Sequence, residues 1–350
     1  MSNNDNVVPL DFYRNLGNSG LKISKIIVGC MSYGDKLWAD WVLDDEEKIF
    51  RIMKKCYDNG IRTFDTANVY SNGKSEEILR KFIEKYKIKR SKIVILSKCY
   101  FPVDPYSPDF YSPEREKTPA YEYINLQGLS RKHIFDAVED SVKRLGTYMD
   151  VLQIHRLDKS TPPEEIMKSL NDVVEKGYTR YIGASSMKAY EFANLQFIAE
   201  KNHWHKFISM QNYYNLIYRE EEREMIPYCN EFNVGLIPWS PNARGLLTRP
   251  LSSNSDRTKS DKSMTRLNLD KIENDADVEI IKRVEELSKR KNVSMAAIAT
   301  AWVINKGQTP IVGINKEERI DDLLIAAKLQ LTKEELQYLE EPYAPKLLLF

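Results

Sequence analysis

Residues 44–70 read DDEEKIFRIMKKCYDNGIRTFDTANVY, and a change of period inside this stretch decides the architecture. In its first half Ile49, Ile52, Met53 and Cys56 recur at helical spacing. Asp44 followed by Glu47 has the spacing of a capping box, and Gly60 supplies the stop. Directly after it, 63–65 is a short run bounded by turn residues, as expected of a strand.

The same alternation recurs along the chain. Candidate strands lie at 25–29, 63–65, 93–98, 149–155, 181–185, 208–211, 235–239 and 309–313. Between them Ser130 caps a helix carrying Ile134, Val138, Val142 and Leu145 up to Gly146. Thr161-Pro162-Pro163 opens another with the stripe Ile166, Leu170 and Val173, ending at Gly177. Further helices are expected at 189–201, 220–232, 275–289 and 317–328. Strands separated by helices pair in parallel through right-handed crossovers, and this number of units closes a (β/α)8 barrel. The competing open sheet that binds a dinucleotide would carry G-x-G-x-x-G, yet no two glycines here are separated by one residue, and no Walker A lysine loop is present. The expected fold is therefore α/β, a (β/α)8 TIM barrel with an N-terminal β-hairpin at 12–24 and long loops at its C-terminal face. A single domain over 1–350, with 1–10 as a flexible tail, suits that length.

Charge narrows the function. With 52 Lys+Arg against 51 Asp+Glu the chain carries a formal +1, too little to hold nucleic-acid phosphates or anionic lipid. Cys30, Cys56, Cys99 and Cys229 form no C-x-x-C, so reduced thiols are expected rather than zinc or disulfides. No apolar run approaches the roughly 20 residues of a membrane span, and the start lacks the regions of a signal peptide. A cytoplasmic protein without an obligate protein partner is expected. His203-Trp204-His205 offers two imidazoles without a third ligand, so no metal is expected. Two stretches fall outside the pattern: 100–128, rich in proline and aromatic residues, and the polar 248–276, expected to be a surface loop. Glu220 to Glu224 reads as a solvated helix face.

Barrel chemistry sits at the carboxyl ends of strands. Those positions hold Asp65, with Tyr70 five residues on, then Lys98 and His155. Hydride addition to a carbonyl needs a proton donor for the nascent alkoxide, and a phenol with a pKa of about 10 is too weak an acid at neutral pH. Lys98 is expected to pull the Tyr70 pKa down by roughly three units. Asp65 would keep that amine charged, and a neutral His155 would orient the carbonyl.

Residues 60–70, GIRTFDTANVY, followed by Ser75-Glu76-Glu77-Ile78-Leu79, strongly resemble the signature of the aldo-keto reductases. The likeness continues through Ser97-Lys98, Leu152-Gln153-Ile154-His155, Gly183-Ala184-Ser185-Ser186, Met210-Gln211-Asn212, Trp239-Ser240-Pro241 and Ile311-Val312-Gly313, with a flavour of the fungal aryl-alcohol dehydrogenase-like and versiconal hemiacetal acetate reductase-like members. It implies the catalytic tetrad Asp65, Tyr70, Lys98 and His155, and NADP(H) bound in extended form. Ser185 and Gln211 would meet the nicotinamide carboxamide, and Trp239 the nicotinamide face. Ser240, Pro241, Asn242, Arg244, Gly245 and Leu247 would follow the pyrophosphate. Asn315, Lys316 and Arg319 would meet the 2′-phosphate, and Cys30, Met31, Asp65, Ser186 and Gly313 complete the implied cofactor set. The sequence departs from the family at Ser186 and Leu323, where many members have Asn. Tyr33, Trp38, Tyr70 and His155 would face an aromatic or apolar aldehyde, with Trp41 nearby. NADPH-dependent carbonyl reduction is the reading carried forward. The alternative is a redox-sensing binding subunit of the potassium-channel β-subunit type, which shares fold and tetrad. A metal-dependent barrel hydrolase is disfavoured, because no His-x-His ends the first strand.

Overall fold

The computed structural model describes residues 9–104, 107, 117–252 and 272–349. Its strands are β1 (Tyr13–Asn15), β2 (Lys22–Ser24), β3 (Ile27–Gly29), β4 (Thr63–Asp65), β5 (Val94–Cys99), β6 (Met149–Ile154), β7 (Thr179–Ser185), β8 (Phe207–Gln211), β9 (Gly235–Leu236) and β10 (Ile311–Gly313). The helices are α1 (Glu46–Asp58), α2 (Lys74–Lys85), α3 (Arg131–Leu145), α4 (Pro163–Glu175), α5 (Ala189–Lys201), α6 (Met225–Glu231), α7 (Asp275–Lys291), α8 (Met295–Asn305), α9 (Arg319–Lys328) and α10 (Lys333–Glu340).

β3 to β10 form one parallel sheet in the order β10-β3-β4-β5-β6-β7-β8-β9. Its ends meet, because the amide of Thr309 donates to Leu236 O and that of Ile311 to Pro238 O, each at 2.9 Å. The expected (β/α)8 barrel is thus closed, which leaves no exposed sheet edge. Pro238 has no N–H to give, so β9 is cut to two residues, while Ile237 and Trp239 resume the ladder on Met210 O and Asn212 O.

The antiparallel hairpin β1–β2 pairs Tyr13 with Ser24 and plugs the bottom of the barrel. Its Leu16 and Ile23 pack with Ile27, Leu96, Val151, Ile237 and Ile311 in the barrel interior. Chemistry is thereby confined to the opposite end. A larger apolar layer, including Ile52, Phe64, Ile95, Val138, Ile166 and Phe192, fills the space between sheet and helices.

Several boundaries differ from expectation, each for a local reason. Asp45 caps α1 by accepting from Lys48 N at 3.0 Å, whereas Asp44 is drawn to Lys36 at 2.8 Å. The helix expected over 220–232 splits into a 3-10 turn, Glu220–Glu222, and α6, because Pro227 is tolerated only within a first turn. The acidic run is no solvated face: Glu220 is buried and accepts from the Tyr343 hydroxyl and the Lys346 amide, tying down the chain after α10. The expected tail lies outside the described residues up to position 8, as do 105–106, 108–116 and 253–271 of the two long loops.

Candidate functional site

The carboxyl ends of β4, β5 and β6 bring the four candidate residues together. Asp65 ends β4, Lys98 lies in β5 at 1% exposure, and His155 follows β6, its amide extending the ladder to Cys99 O. Lys98 Nζ donates to Asp65 Oδ2 at 2.5 Å, to Thr66 O at 2.9 Å and to the Tyr70 hydroxyl at 3.2 Å. The His155 ring stands edge-on to Tyr70, with centroids 5.8 Å apart, and Phe101 closes its other side at 5.1 Å.

Tyr70 is held by an unusual piece of backbone. Ser71 and Asn72 adopt φ of 48° and 50°, followed by Gly73 at 88°. A Cβ on Gly73 would lie 2.5 Å from Arg144 Cδ, so this left-handed, crowded position requires glycine. Arg144 in turn pairs with the fully buried Glu76 at 2.7 Å, which also accepts from Ser97 Oγ at 2.5 Å. On the other side Asn72 Nδ2 donates to Ser107 O at 2.8 Å and Asn68 Nδ2 to Phe101 O at 3.0 Å. The stretch after Lys98 is therefore fastened to the Tyr70 loop.

Electrostatics correct one expectation. Burial raises the Tyr70 pKa, and the opposing pull of Lys98 does not overcome it, so in the absence of ligand the phenol lies above its ordinary value. Burial also presses on Lys98, but Asp65 and Tyr70 outweigh it and hold the amine above the usual lysine value. Burial, then Lys98 and Arg156, push the His155 imidazole well below 6.5. That ring is neutral at physiological pH. Its buried Nδ1 has no hydrogen-bond partner among the described residues, so its single proton is best accommodated on Nε2.

The candidate cofactor residues form a rim around the other half of the mouth. Ser185 Oγ donates to Gln211 O at 2.8 Å. Ser186, at φ 50°, accepts from Trp239 Nε1 at 3.3 Å and gives its amide to Asn212 Oδ1. Asn212 reaches on to Glu221, whose carboxyl is pushed up to about 7 by burial. The Trp239 ring leans on Tyr213 at 4.6 Å with the Arg244 guanidinium 5.5 Å from its centroid. Ser240, Ala243, Arg244 and Gly245 have positive φ, in a tight turn that also holds Pro241 and Asn242. Asn315 Oδ1 is buried without a partner among the described residues, Lys316 and Arg319 are exposed, and neither cation is ion-paired with a described residue. Gly313 ends β10 and Met31 follows β3, neither of them buried.

Some candidates do not join the mouth. The side chains of Cys30 and Leu247 sit in the apolar layers, which leaves only their backbone to a ligand. Leu323 is likewise packed inside. Tyr33 is fully buried with its hydroxyl spent on Ile314 O at 2.7 Å, so it does not line the opening. Trp38, by contrast, packs on Tyr70 at 6.4 Å and on Trp41 at 6.0 Å. Sequence reasoning assigned no role to Gln153, buried in β6 two residues before His155, although an amide between Leu152 and Ile154 was a visible signal. Among the described residues no three His, Cys, Asp or Glu form a metal-binding group, and His205 meets Glu175 instead.

The aldo/keto reductase family model matches residues 25–344. The chain is 59% identical over 331 residues to a Saccharomyces cerevisiae protein named "Putative aryl-alcohol dehydrogenase AAD16", covering 95% of this chain and 96% of that one. It is 55% identical to a versiconal hemiacetal acetate reductase of Aspergillus parasiticus, covering 95% and 97%. An aldo-keto reductase of Alternaria alternata is 46% identical, covering 95% of this chain and 91% of that one. Among the described residues no helix is long and apolar enough to cross a membrane.

Proposed function

The chain belongs to the aldo/keto reductase family and is an NAD(P)-dependent oxidoreductase acting on carbonyl compounds, and from this premise we propose that it reduces an aromatic or apolar aldehyde to the alcohol with NADPH, Tyr70 delivering the proton. The observation that carries this reading is the position of the Lys98 ammonium, 2.5 Å from Asp65 and 3.2 Å from the Tyr70 hydroxyl.

Bound NADPH supplies the hydride. Every other part falls to this chain. As the carbonyl oxygen gains charge, the Tyr70 O–H donates to it, and the phenolate left behind is stabilised by an ammonium already in place, with no reorganisation. Asp65 keeps that ammonium charged inside the barrel. His155, neutral and carrying its proton on Nε2, donates a hydrogen bond that orients the carbonyl. The raised Tyr70 pKa keeps the donor protonated at neutral pH; the work of Lys98 is done in the transition state.

The cofactor fits the residues present. An orphaned buried acceptor on Asn315 and two exposed cations without described partners suit a nucleotide bearing a phosphate monoester, which favours NADP(H) over NAD(H). Trp239 offers a face for the nicotinamide, and Trp38 an apolar wall for the substrate. The wall includes Phe101, packed on His155. A single barrel domain spanning the chain accommodates all of these groups.

The test is purified protein with NADPH and a panel of aromatic and aliphatic aldehydes, read as loss of cofactor absorbance. Oxidation of NADPH by aromatic aldehydes in preference to short aliphatic ones supports the reading; no turnover of any carbonyl overturns it.

A further inference from the structure

Asp65 has a second oxygen, and two glutamines occupy it. Gln153 Nε2 donates to Asp65 Oδ1 at 2.9 Å and Gln211 Nε2 to the same atom at 3.0 Å. Gln211 Nε2 also donates to Gln153 Oε1 at 2.8 Å. Gln153 is fully buried and Gln211 nearly so. Barrel interiors are normally filled by branched apolar side chains, and a buried amide is costly unless its groups are paired. Room has been made for this one: a Cβ at Gly183 would lie 3.1 Å from Gln153 Cγ and 2.4 Å from Ser209 Oγ.

The orientation of both amides follows from chemistry. A carboxylate only accepts hydrogen bonds, so both glutamines must turn their NH2 groups toward Asp65. The Gln153 carbonyl is then the partner of Gln211, and the NH2 of Gln211 faces into the barrel. A ligand arriving from the mouth can meet Gln211 only at its carbonyl oxygen, as an acceptor.

We infer that Gln153 is a positioning residue with two effects: it aims the Asp65 carboxylate at Lys98, and it fixes Gln211 with its oxygen outward to accept from an NH2 group such as that of a nicotinamide carboxamide. One side chain thereby links the proton-delivery half of the site to the half that orients the cofactor ring. The inference rests on the function proposed above.

The test compares binding of NADPH and of its reduced 3-acetylpyridine analogue, which lacks the carboxamide NH2, by fluorescence titration. Wild-type protein is expected to prefer NADPH by about tenfold, as befits a buried hydrogen bond. Gln153→Met, similar in shape but unable to hold Gln211, is expected to cut this preference to within about twofold and to lower kcat by about tenfold or more. Ser209→Ala, in the same layer but outside the network, keeps both. Gln153→Glu keeps an acceptor for Gln211 and can share a proton with Asp65 only at acid pH, so its kcat is expected to recover as pH falls. That acid rescue is not produced by loss of packing and reads the role even if Gln153→Met folds poorly. Unchanged discrimination and rate in folded Gln153→Met, or no acid recovery in Gln153→Glu, overturns the role of Gln153; equal wild-type affinity for the two cofactors overturns the orientation of Gln211. Wild-type carbonyl turnover, measured first, separates these failures from failure of the functional reading.

Discussion

Lys98 Nζ donates to the Tyr70 hydroxyl across 3.2 Å, with both side chains buried at the mouth of the barrel. An ammonium in that position stabilises a phenolate but does nothing for a ring without oxygen.

Tyr70→Phe is therefore expected to lower carbonyl reduction by roughly 10³-fold, within the range for loss of a general acid. Binding of NADPH should stay within about twofold, since no cofactor hydrogen bond is assigned to this hydroxyl. Steady-state rates and a fluorescence titration check both; a tenfold loss of binding with little loss of rate contradicts the assignment.

The pH dependence has a definite sign. Reduction needs Tyr70 protonated, and burial holds its pKa above the ordinary tyrosine value, so reduction should be flat through neutrality and decline only on the alkaline side. Alcohol oxidation needs the phenolate and should rise with pH. Lys98→Met removes the downward pull on the phenol, so the alkaline limb of reduction should move to higher pH while oxidation at pH 8 drops by more than about tenfold. A limb moving toward neutral pH contradicts this. His155, held well below 6.5 by burial, Lys98 and Arg156, should contribute no imidazole limb near pH 6.5.

Removing the buried partner of Arg144 should destabilise the fold. Glu76→Ala takes the carboxylate partner from a guanidinium only 16% exposed, leaving it Ser141 Oγ, and a loss of about 3 kcal/mol is expected, at the lower end for a broken buried pair. Urea denaturation measures it. Because Arg144 also packs under Gly73, kcat should fall in the same variant as the Tyr70 loop loosens. A loss below about 0.5 kcal/mol would make the pair ordinary surface chemistry.

The choice of cofactor should respond to Lys316 and Arg319. Replacing both with Ala is expected to weaken NADPH binding by at least about tenfold and leave NADH within about twofold, since a charge-assisted contact to a phosphate contributes roughly 1.5–3 kcal/mol. Parallel titrations with the two nucleotides decide it; equal losses for both place the 2′-phosphate elsewhere.

Much of this was legible in the chain. Candidate strands at 63–65 and 149–155 fall within a residue of β4 and β6, because short apolar runs between capped helices leave few other registers. α3 and α4 were readable from their stripes and start signals, and the helix expected over 189–201 matches α5 at both ends. α8 was not: Met295 to Ile304 is buried on nearly every side, so it has no polar face and no helical period to detect. The short α10 was passed over for want of a long stripe, and α2 was passed over although Ile78, Leu79 and Phe82 mark its buried face.

The order of residues by itself determined the alternation of strand and helix, and with it the placement of Asp65, Tyr70, Lys98 and His155 at or near the carboxyl ends of strands on one face. Those are consequences of local spacing. Only the tertiary structure decided that Tyr70 is a weaker acid than its neighbour Lys98 suggested, that Tyr33 is spent inside the wall, and that Gln153 and Gln211 converge on Asp65 from 88 and 146 residues away. The reason is physical: desolvation and hydrogen-bond saturation depend on everything packed around a group, and that surrounding exists only once the barrel has closed.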